Sequence, residues 1–503
     1  MNAHVGPTPD SPLVHLRGIR TVWWLSKFIR DPVGCICDAY RLAQLCVSDH
    51  PLPWGRKHKN VFAFGPDFNR AVLGDTATFH TTAQIAGGPS DSPMRRVRHG
   101  LTAMNGDEHR QQRQLVMPLF AKSAVDGYWD AGVRMTESLL KEWPADGAID
   151  VWVQMRRLTL RTSSHILYGR EDQATAEAIG EMIYDLLEHT FSPFVSVLPI
   201  NLPGTPYRRL QRAASRLEET LWATIERRRK TPTDRPDVLD MLSQAHAAGH
   251  MSDAALLGQA TILFGASYET QANAMTWTLF LLAQHPGIAR QLLDELTGEL
   301  HGSPPTIEQL ERLPFLDAVI KESMRILPTV PYTVRSVSTP TELGGVALTP
   351  GDRVVCSHYV THHMPEIYAD PAQFNPHRWF TIKPSSYEYF PFSAGQRVCI
   401  GRYMALMLMK VSLAMIMQRC RLFMLPGTSV NRSVQVTMGP KGGMTMRCVP
   451  QDGCFASSAV RGNIHEMVDL STQPATVVAT RVNVNVPERA VDAPIAENTK
   501  SLR

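Results

Sequence analysis

What this chain lacks narrows it first. No window supplies 18 apolar residues free of charge, so no segment reads as a transmembrane anchor. The N-terminus lacks the charged, apolar and small-residue succession of a secretion signal, and the short apolar run Val22–Leu25 is soon followed by Lys27 and Arg30. A cytoplasmic location is therefore expected. The eight cysteines (Cys35, Cys37, Cys46, Cys356, Cys399, Cys420, Cys448, Cys454) include no C-x-x-C pair and no His/Cys cluster of zinc spacing. Cys35 and Cys37 make an isolated C-x-C, read as helix packing, and reduced thiols are the default. No dense Lys/Arg cluster interleaved with aromatics appears, and the formal net charge is only +4 over 503 residues. Nucleic acid is excluded as the main partner on those grounds.

What remains is ample core material. Hydrophobic residues make up 44% and charged residues 19%, enough to bury a large interior and too little charge for disorder throughout. No internal repeat is visible. From about Ser11 to Pro450 the pattern is one unit, mainly α with small β-sheets, an α+β class. Helices are expected over Asp107–Phe120, Ala124–Trp143, Gln173–Glu188, Tyr207–Lys230, Asp253–Gln284, Ile288–Leu300, Thr306–Leu327 and Arg402–Cys420. Short strands are expected near Val61–Leu73, Val334–Val355 and Val434–Arg447. Residues 451–503 lose periodicity and read as a C-terminal extension that is largely disordered.

One segment carries chemistry. Phe392-Ser-Ala-Gly395-Gln-Arg397-Val-Cys399-Ile-Gly401 sets a cysteine in a glycine-flanked loop at the start of a long apolar helix. Free backbone N–H groups and the helix dipole there favour a negative sulfur, which predicts a depressed thiol pKa. Gly395 and Gly401 suit positive φ or close approach of a flat ligand. Phe392 would shield the sulfur, and Arg397 offers a fork of donors suited to a carboxylate such as a haem propionate. Together these features describe an axial thiolate for haem iron. A lone cysteine before a core helix is more often inert, but five specified positions within ten residues argue against that.

The loop resembles that of the cytochrome P-450 family, Phe-x-x-Gly-x-Arg-x-Cys-x-Gly, at all five fixed positions. The resemblance implies the P-450 fold, with haem b held between the long central helix and the helix after the loop, and with Cys399 as the iron's axial ligand. There is no C-x-x-C-H, so covalent attachment of the c type is not indicated. Glu322-Ser-Met-Arg325 matches the family's E-x-x-R, and Phe374-Asn-Pro376-His-Arg378-Trp379 resembles its aromatic-Pro-x-Arg segment. The resemblance thus places Glu322, Arg325 and Arg378 in a buried network behind the haem. His109 and Arg113, four apart on one helix face, and Arg335 match propionate-binding positions. His362 takes the place of the His in the family's His-Arg-Asp-Pro segment, although the next two residues depart from it. In Phe264-Gly-Ala266-Ser267-Tyr268-Glu269-Thr270 the acid and alcohol match the family's proton-relay pair, with Ser267 where Gly is usual and a local helix opening implied.

The implied reaction is monooxygenation. One atom of O2 enters a lipophilic organic substrate, with electrons from a separate ferredoxin and its reductase. Arg402, Lys410 and Arg419 are the expected docking face for an acidic donor, and a monomer is expected. Pocket walls are expected from Thr81–Met104, Phe191–Pro206, Phe264, Tyr268 and Thr329–Val334. A peroxide-using or reductase-independent enzyme, and a non-catalytic haem protein, are the alternatives.

Overall fold

The structure, a computed structural model, describes residues 5–470 apart from 17–18, 49–57, 82–87, 170–172, 191–194, 196–199, 232–235 and 436. Among these residues the helices are α1 (Ile19–Arg30), α2 (Pro32–Leu42), α3 (Pro66–Gly74), α4 (Pro93–Arg96), α5 (Gly106–Val116), α6 (Lys122–Asp126), α7 (Trp129–Glu142), α8 (Val151–Tyr168) and α9 (Gln173–Thr190). They continue with α10 (Pro206–Arg229), α11 (Val238–Ala247), α12 (Asp253–Gln284), α13 (Pro286–Leu300), α14 (Ile307–Glu311), α15 (Pro314–Ile326), α16 (His358–His362) and α17 (Arg402–Arg419).

Helix α12 organises the rest. The Ser252 hydroxyl accepts from the Ala255 N–H, and Asp253 sits in the first turn where the dipole favours an acid. Its side chains are apolar on nearly every side, so it runs through the middle, packed by α8, α9, α11, α15 and α17. A Cβ at Gly258 would drive into the backbone of His99 and Gly100, so this crossing requires glycine.

The strands are β1 (Leu13–Leu16), β2 (Leu45–Ser48), β3 (Asn60–Ala63), β4 (Phe79–Thr81), β5 (Gly147–Asp150), β6 (Tyr332–Val337), β7 (Thr341–Leu343), β8 (Val346–Leu348), β9 (Arg353–Ser357), β10 (Cys420–Met424), β11 (Arg432–Val434), β12 (Met438–Pro440) and β13 (Thr445–Pro450). A mixed six-stranded sheet has the order β1-β2-β3-β9-β6-β4, and pairs Arg335 with Val354 across β6 and β9. A three-stranded sheet β10-β13-β5 and two small ladders, β7-β8 and β11-β12, complete the set.

Several expected elements are shorter or divided. Thr306–Leu327 is two helices, because Pro314 opens α15 and holds Leu313 out of the helical region at φ −113°, ψ 66°. Ala124–Trp143 breaks at Gly127 and Tyr128. Of Val61–Leu73 only the first part is a strand, since Gly65-Pro66 starts α3. Cys420 has left the helix for β10. The expectation of disorder fails for residues 451–470: Val460, Ile464, Met467 and Val468 are buried, Glu466 pairs with Arg432 at 2.9 Å, and the Asp469 N–H reaches the Ala372 carbonyl at 2.8 Å. Residues 471–503 lie outside the described residues.

Candidate active site: a cysteine loop ringed by arginines

The loop is folded by backbone before any side chain acts. The Cys399 N–H donates to the Phe392 carbonyl at 2.8 Å, closing the turn. Gly395 takes the expected positive φ, +67°, and packs against the Leu73 carbonyl with no room for a Cβ. Gly401 has an ordinary φ of −85°. Ser393 takes φ +61°, a left-handed conformation unusual outside glycine, with its buried hydroxyl unpartnered. Protein crowds the Cys399 sulfur on most sides, while the residue keeps an accessible flank. Burial pushes this thiol above its ordinary pKa, and the Gly401 N–H, Arg113 and Arg402 only partly pull it back. Among the protein's own groups, desolvation outweighs one N–H and two guanidinium groups.

Around the loop stands a crescent of cations. The Arg113 Nη2 donates to the Val398 carbonyl at 2.8 Å, joining α5 to the loop. Arg397 reaches back to the Met104 carbonyl at 2.7 Å and Asn105 Oδ1 at 2.8 Å. Arg335, buried on β6, leaves its Nε without an acceptor. Burial, then Arg335 and Arg113, lower the Arg397 pKa to about 10, and burial with Arg397 and Arg113 lowers that of His109 to about 4. Among the described residues no carboxylate pairs with Arg113, Arg335 or Arg397. Three buried or half-buried guanidinium groups facing one another demand an anion, and their donors suit a group bearing two carboxylates beside a cysteine ligand.

Glu322, Arg325 and Arg378 do meet. Glu322 Oε1 accepts from Arg325 Nη2 at 2.8 Å, Arg378 Nε at 3.0 Å and the Asn375 N–H at 3.0 Å. Its Oε2 accepts from Arg325 Nε at 2.9 Å and Trp379 Nε1 at 3.0 Å. The two guanidinium groups hold the buried Glu322 carboxyl below its ordinary pKa despite desolvation. Arg325 spends Nη1 on the His362 and Pro371 carbonyls, both at 2.8 Å.

On α12 the Thr270 hydroxyl donates to the Ala266 carbonyl at 2.7 Å, and Glu269 beside it is half-buried. Helix α12 is α-helical through this stretch, without the opening that the resemblance implied. Ser267 bonds the Phe264 carbonyl and the Ser163 hydroxyl, each at 2.9 Å, tying this turn to α8. Phe264 and Tyr268 are buried rather than forming a pocket wall: Phe264 stacks on Tyr168 and Tyr268, and Tyr268 meets Tyr184 and Arg156. Ala266 is the exposed residue of this turn. Of Phe191–Pro206, residues 191–194 and 196–199 lie outside the described residues, as do 82–87 of Thr81–Met104.

Known proteins carry the same pattern. The family profile described as Cytochrome P450 matches residues 42–446. The chain belongs to the cytochrome P450 family. Cyclooctatin synthase of Streptomyces melanosporofaciens is 30% identical over 400 residues, covering 77% of this chain and 85% of that protein. Cyclooctat-9-en-7-ol 5-monooxygenase of the same organism is 29% identical, covering 73% and 80%. Pentalenene oxygenase of Streptomyces avermitilis is 27% identical, covering 66% and 76%. Retinoic acid bound cyanobacterial CYP120A1 superposes with a TM-score of 0.73 at 23% identity, covering 88% of this chain and all of that one, which shows the fold.

As a P450 this protein carries a haem with a cysteine thiolate ligand, and it is a monooxygenase that uses O2 and an outside electron source. No helix among the described residues is long and apolar enough to cross a membrane. Two participants escaped sequence reasoning. Asn105 holds Arg397 and also the Thr81 N–H at 2.9 Å, and its only sequence signal is its place before the Gly-Asp-Glu that opens α5. Trp379 gives its indole N–H to Glu322, and its signal is adjacency to Arg378.

Proposed function

We propose that Cys399 is the haem's thiolate ligand, that His109, Arg113, Arg335 and Arg397 hold its propionates, and that the enzyme oxygenates a lipophilic, unsaturated hydrocarbon or its mono-alcohol with electrons from a ferredoxin-type donor. The observation that carries this reading is the unanswered positive crescent around the Cys399 loop. Haem bound there supplies thiolate-assisted O–O cleavage and C–H oxidation. A metal-bound thiol is deprotonated by the metal's charge, which offsets the burial that otherwise keeps Cys399 neutral. The substrate class follows the relatives' names, an alkenol and pentalenene.

The chain's own residues then divide the work. Thr270 spends its proton on the Ala266 carbonyl, so its oxygen is left to accept from a water, and Glu269 next to it would supply an exchangeable proton. The docking face narrows to Arg402, since Lys410 pairs with Asp317 at 3.0 Å and Arg419 with Glu137 at 3.6 Å. The deciding experiment is the reduced carbon monoxide difference spectrum of the purified protein and of Cys399→Ala. The thiolate signature is expected in the first and lost in the second; an unchanged spectrum in the variant rejects the assignment.

A further inference from the structure

Two thiols meet outside the haem site. Cys420 opens β10 where α17 ends, and Cys448 lies on β13 beside it. The register pairs Cys420 with Pro450 and Leu422 with Cys448, and the Gln451 N–H reaches the Arg419 carbonyl at 3.0 Å. That bond marks both pairs as non-hydrogen-bonded ones, in which facing side chains stand closest. Cys420 and Cys448 therefore share one face as diagonal neighbours, and the right-handed twist of the strands draws this diagonal together. On the other side of β13, Cys448 faces Gly147 of β5, whose missing side chain leaves the cysteine room to turn toward Cys420.

The two sulfurs also interact directly. Their thiols share a hydrogen bond, which holds Cys448 below its ordinary pKa although burial opposes it. Burial pushes the Cys35, Cys37, Cys46 and Cys356 thiols up instead. Two sulfurs that share a proton ionise as a unit. Cys448 is buried, but Cys420 is partly exposed on a strand at the edge of its sheet, so it presents that unit to solvent. Reduced thiols are the resting state, and a pair so placed is poised for oxidation.

We propose that Cys420 and Cys448 are a peroxide-responsive pair that closes reversibly into a disulfide, tying the end of α17 to β13. One sulfur attacks a peroxide oxygen: an S–O bond forms, the O–O bond breaks, and the leaving hydroxide takes up the thiol's proton as water. The second sulfur then attacks the first: the S–S bond forms, the S–O bond breaks, and a second water leaves with the remaining thiol proton. The two sulfurs lose two electrons and hydrogen peroxide gains them. Uncoupled turnover, in which O2 takes two electrons and two protons without product, supplies that oxidant at home. This source rests on the proposed oxygenase reading; the chemistry of the pair does not. Because α17 starts at the Cys399 loop, closure fixes the far end of the helix that carries the loop.

The test is titration of the full-length, haem-loaded protein with hydrogen peroxide, followed by alkylation and peptide mass mapping. Cys420 and Cys448 should escape alkylation together, as one linked peptide pair about 2 Da lighter than its reduced parts, and dithiothreitol should restore both. In Cys448→Ser, Cys420 has no resolving partner and should pass to sulfinic and sulfonic acids that dithiothreitol does not reverse. The untreated variant should keep the wild-type carbon monoxide spectrum, which certifies its fold; if it does not, the wild-type map decides alone. Cys454, the other partly exposed thiol outside the haem loop, is the internal comparison. Oxidation of Cys454 while Cys420 and Cys448 still alkylate overturns the proposal. So does a disulfide through Cys420 that joins two chains, or full recovery of Cys420 in the folded Cys448→Ser variant. Failure here leaves the oxygenase reading intact, whereas a missing carbon monoxide signature with closure of the pair removes only that reading.

Discussion

Replacing Glu322 with Gln keeps the shape and removes one charge. The carboxylate accepts five hydrogen bonds, two on Oε2 and three on Oε1. Whichever way the amide turns, its NH2 faces two or three donors, each left unpaired at a cost of about 1–3 kcal/mol. Arg325 and Arg378 also lose their shared counter-charge in a site where Glu322 and Arg325 are fully buried. Breaking such a buried pair costs about 3–5 kcal/mol, a large part of the ~5–15 kcal/mol that holds a typical fold. A fall in unfolding temperature of about 3–5 °C is expected for a chain of this size, followed by calorimetry and by the Soret band. The pH dependence has a definite sign. Glu322 has its folded pKa depressed below 4.5, so its contribution is full above that value and disappears as pH falls through the folded pKa. In Glu322→Gln that acid-side loss is missing. A variant that unfolds within about 1 °C of wild type and retains haem fully would refute the reasoning.

Three further changes test separate parts. Thr270→Ala should raise peroxide release per electron consumed at the expense of product, with Thr270→Ser restoring coupling because its hydroxyl can still reach the Ala266 carbonyl; full coupling in the alanine variant removes Thr270 from the proton path. Ser393→Gly should stabilise by about 1 kcal/mol, since it relieves a left-handed side chain and a buried unpartnered hydroxyl. A lower unfolding temperature in that variant would show that the Ser393 hydroxyl has a partner in the holoenzyme. Arg402→Glu should slow the first electron transfer, most strongly at low salt, and a stopped-flow rate independent of both charge and salt contradicts the docking face.

The sequence was most legible where chemistry repeats in a fixed short pattern. The ten residues around Cys399 and the four of Glu322–Arg325 were readable because their partners sit at fixed spacing, and the bounds of Asp253–Gln284 were readable because Ser252 caps it and Pro286 follows. Helix α8 was not. Its sequence VWVQMRRLTLRTSSHILY is rich in β-branched and hydroxyl residues, which favour other conformations. In the fold Thr159 and Thr162 turn their hydroxyls onto the Met155 and Leu158 carbonyls, and burial against α12 overrides propensity. At Cys399 the helix start that favours a thiolate is visible in the sequence, whereas the desolvation that opposes it is not. The pairing of Lys410 with Asp317 and of Arg419 with Glu137 was hidden likewise, being a contact between separate helices.

The network of Glu322 and the loop of Cys399, two motifs some seventy residues apart, form one mechanical unit through His362. Arg325 donates to the carbonyl of His362, and the Nε2 of the same residue accepts the Phe390 N–H at 3.0 Å, two residues before the Phe392 whose carbonyl takes the Cys399 N–H. Burial, with His358, His363 and Arg325 nearby, pushes the His362 pKa well below its ordinary value, so the ring stays neutral and Nε2 remains an acceptor. Thr361, its neighbour, is held by Asn69 Nδ2 at 3.0 Å, which also reaches the Tyr387 carbonyl at 3.1 Å. Loosening Arg325 therefore frees the peptide that anchors the entrance of the cysteine loop. It follows that damage to the network should appear first as a displaced or lost thiolate ligand, at temperatures where α12 and its neighbours are still folded, rather than as a slower reaction on an intact site.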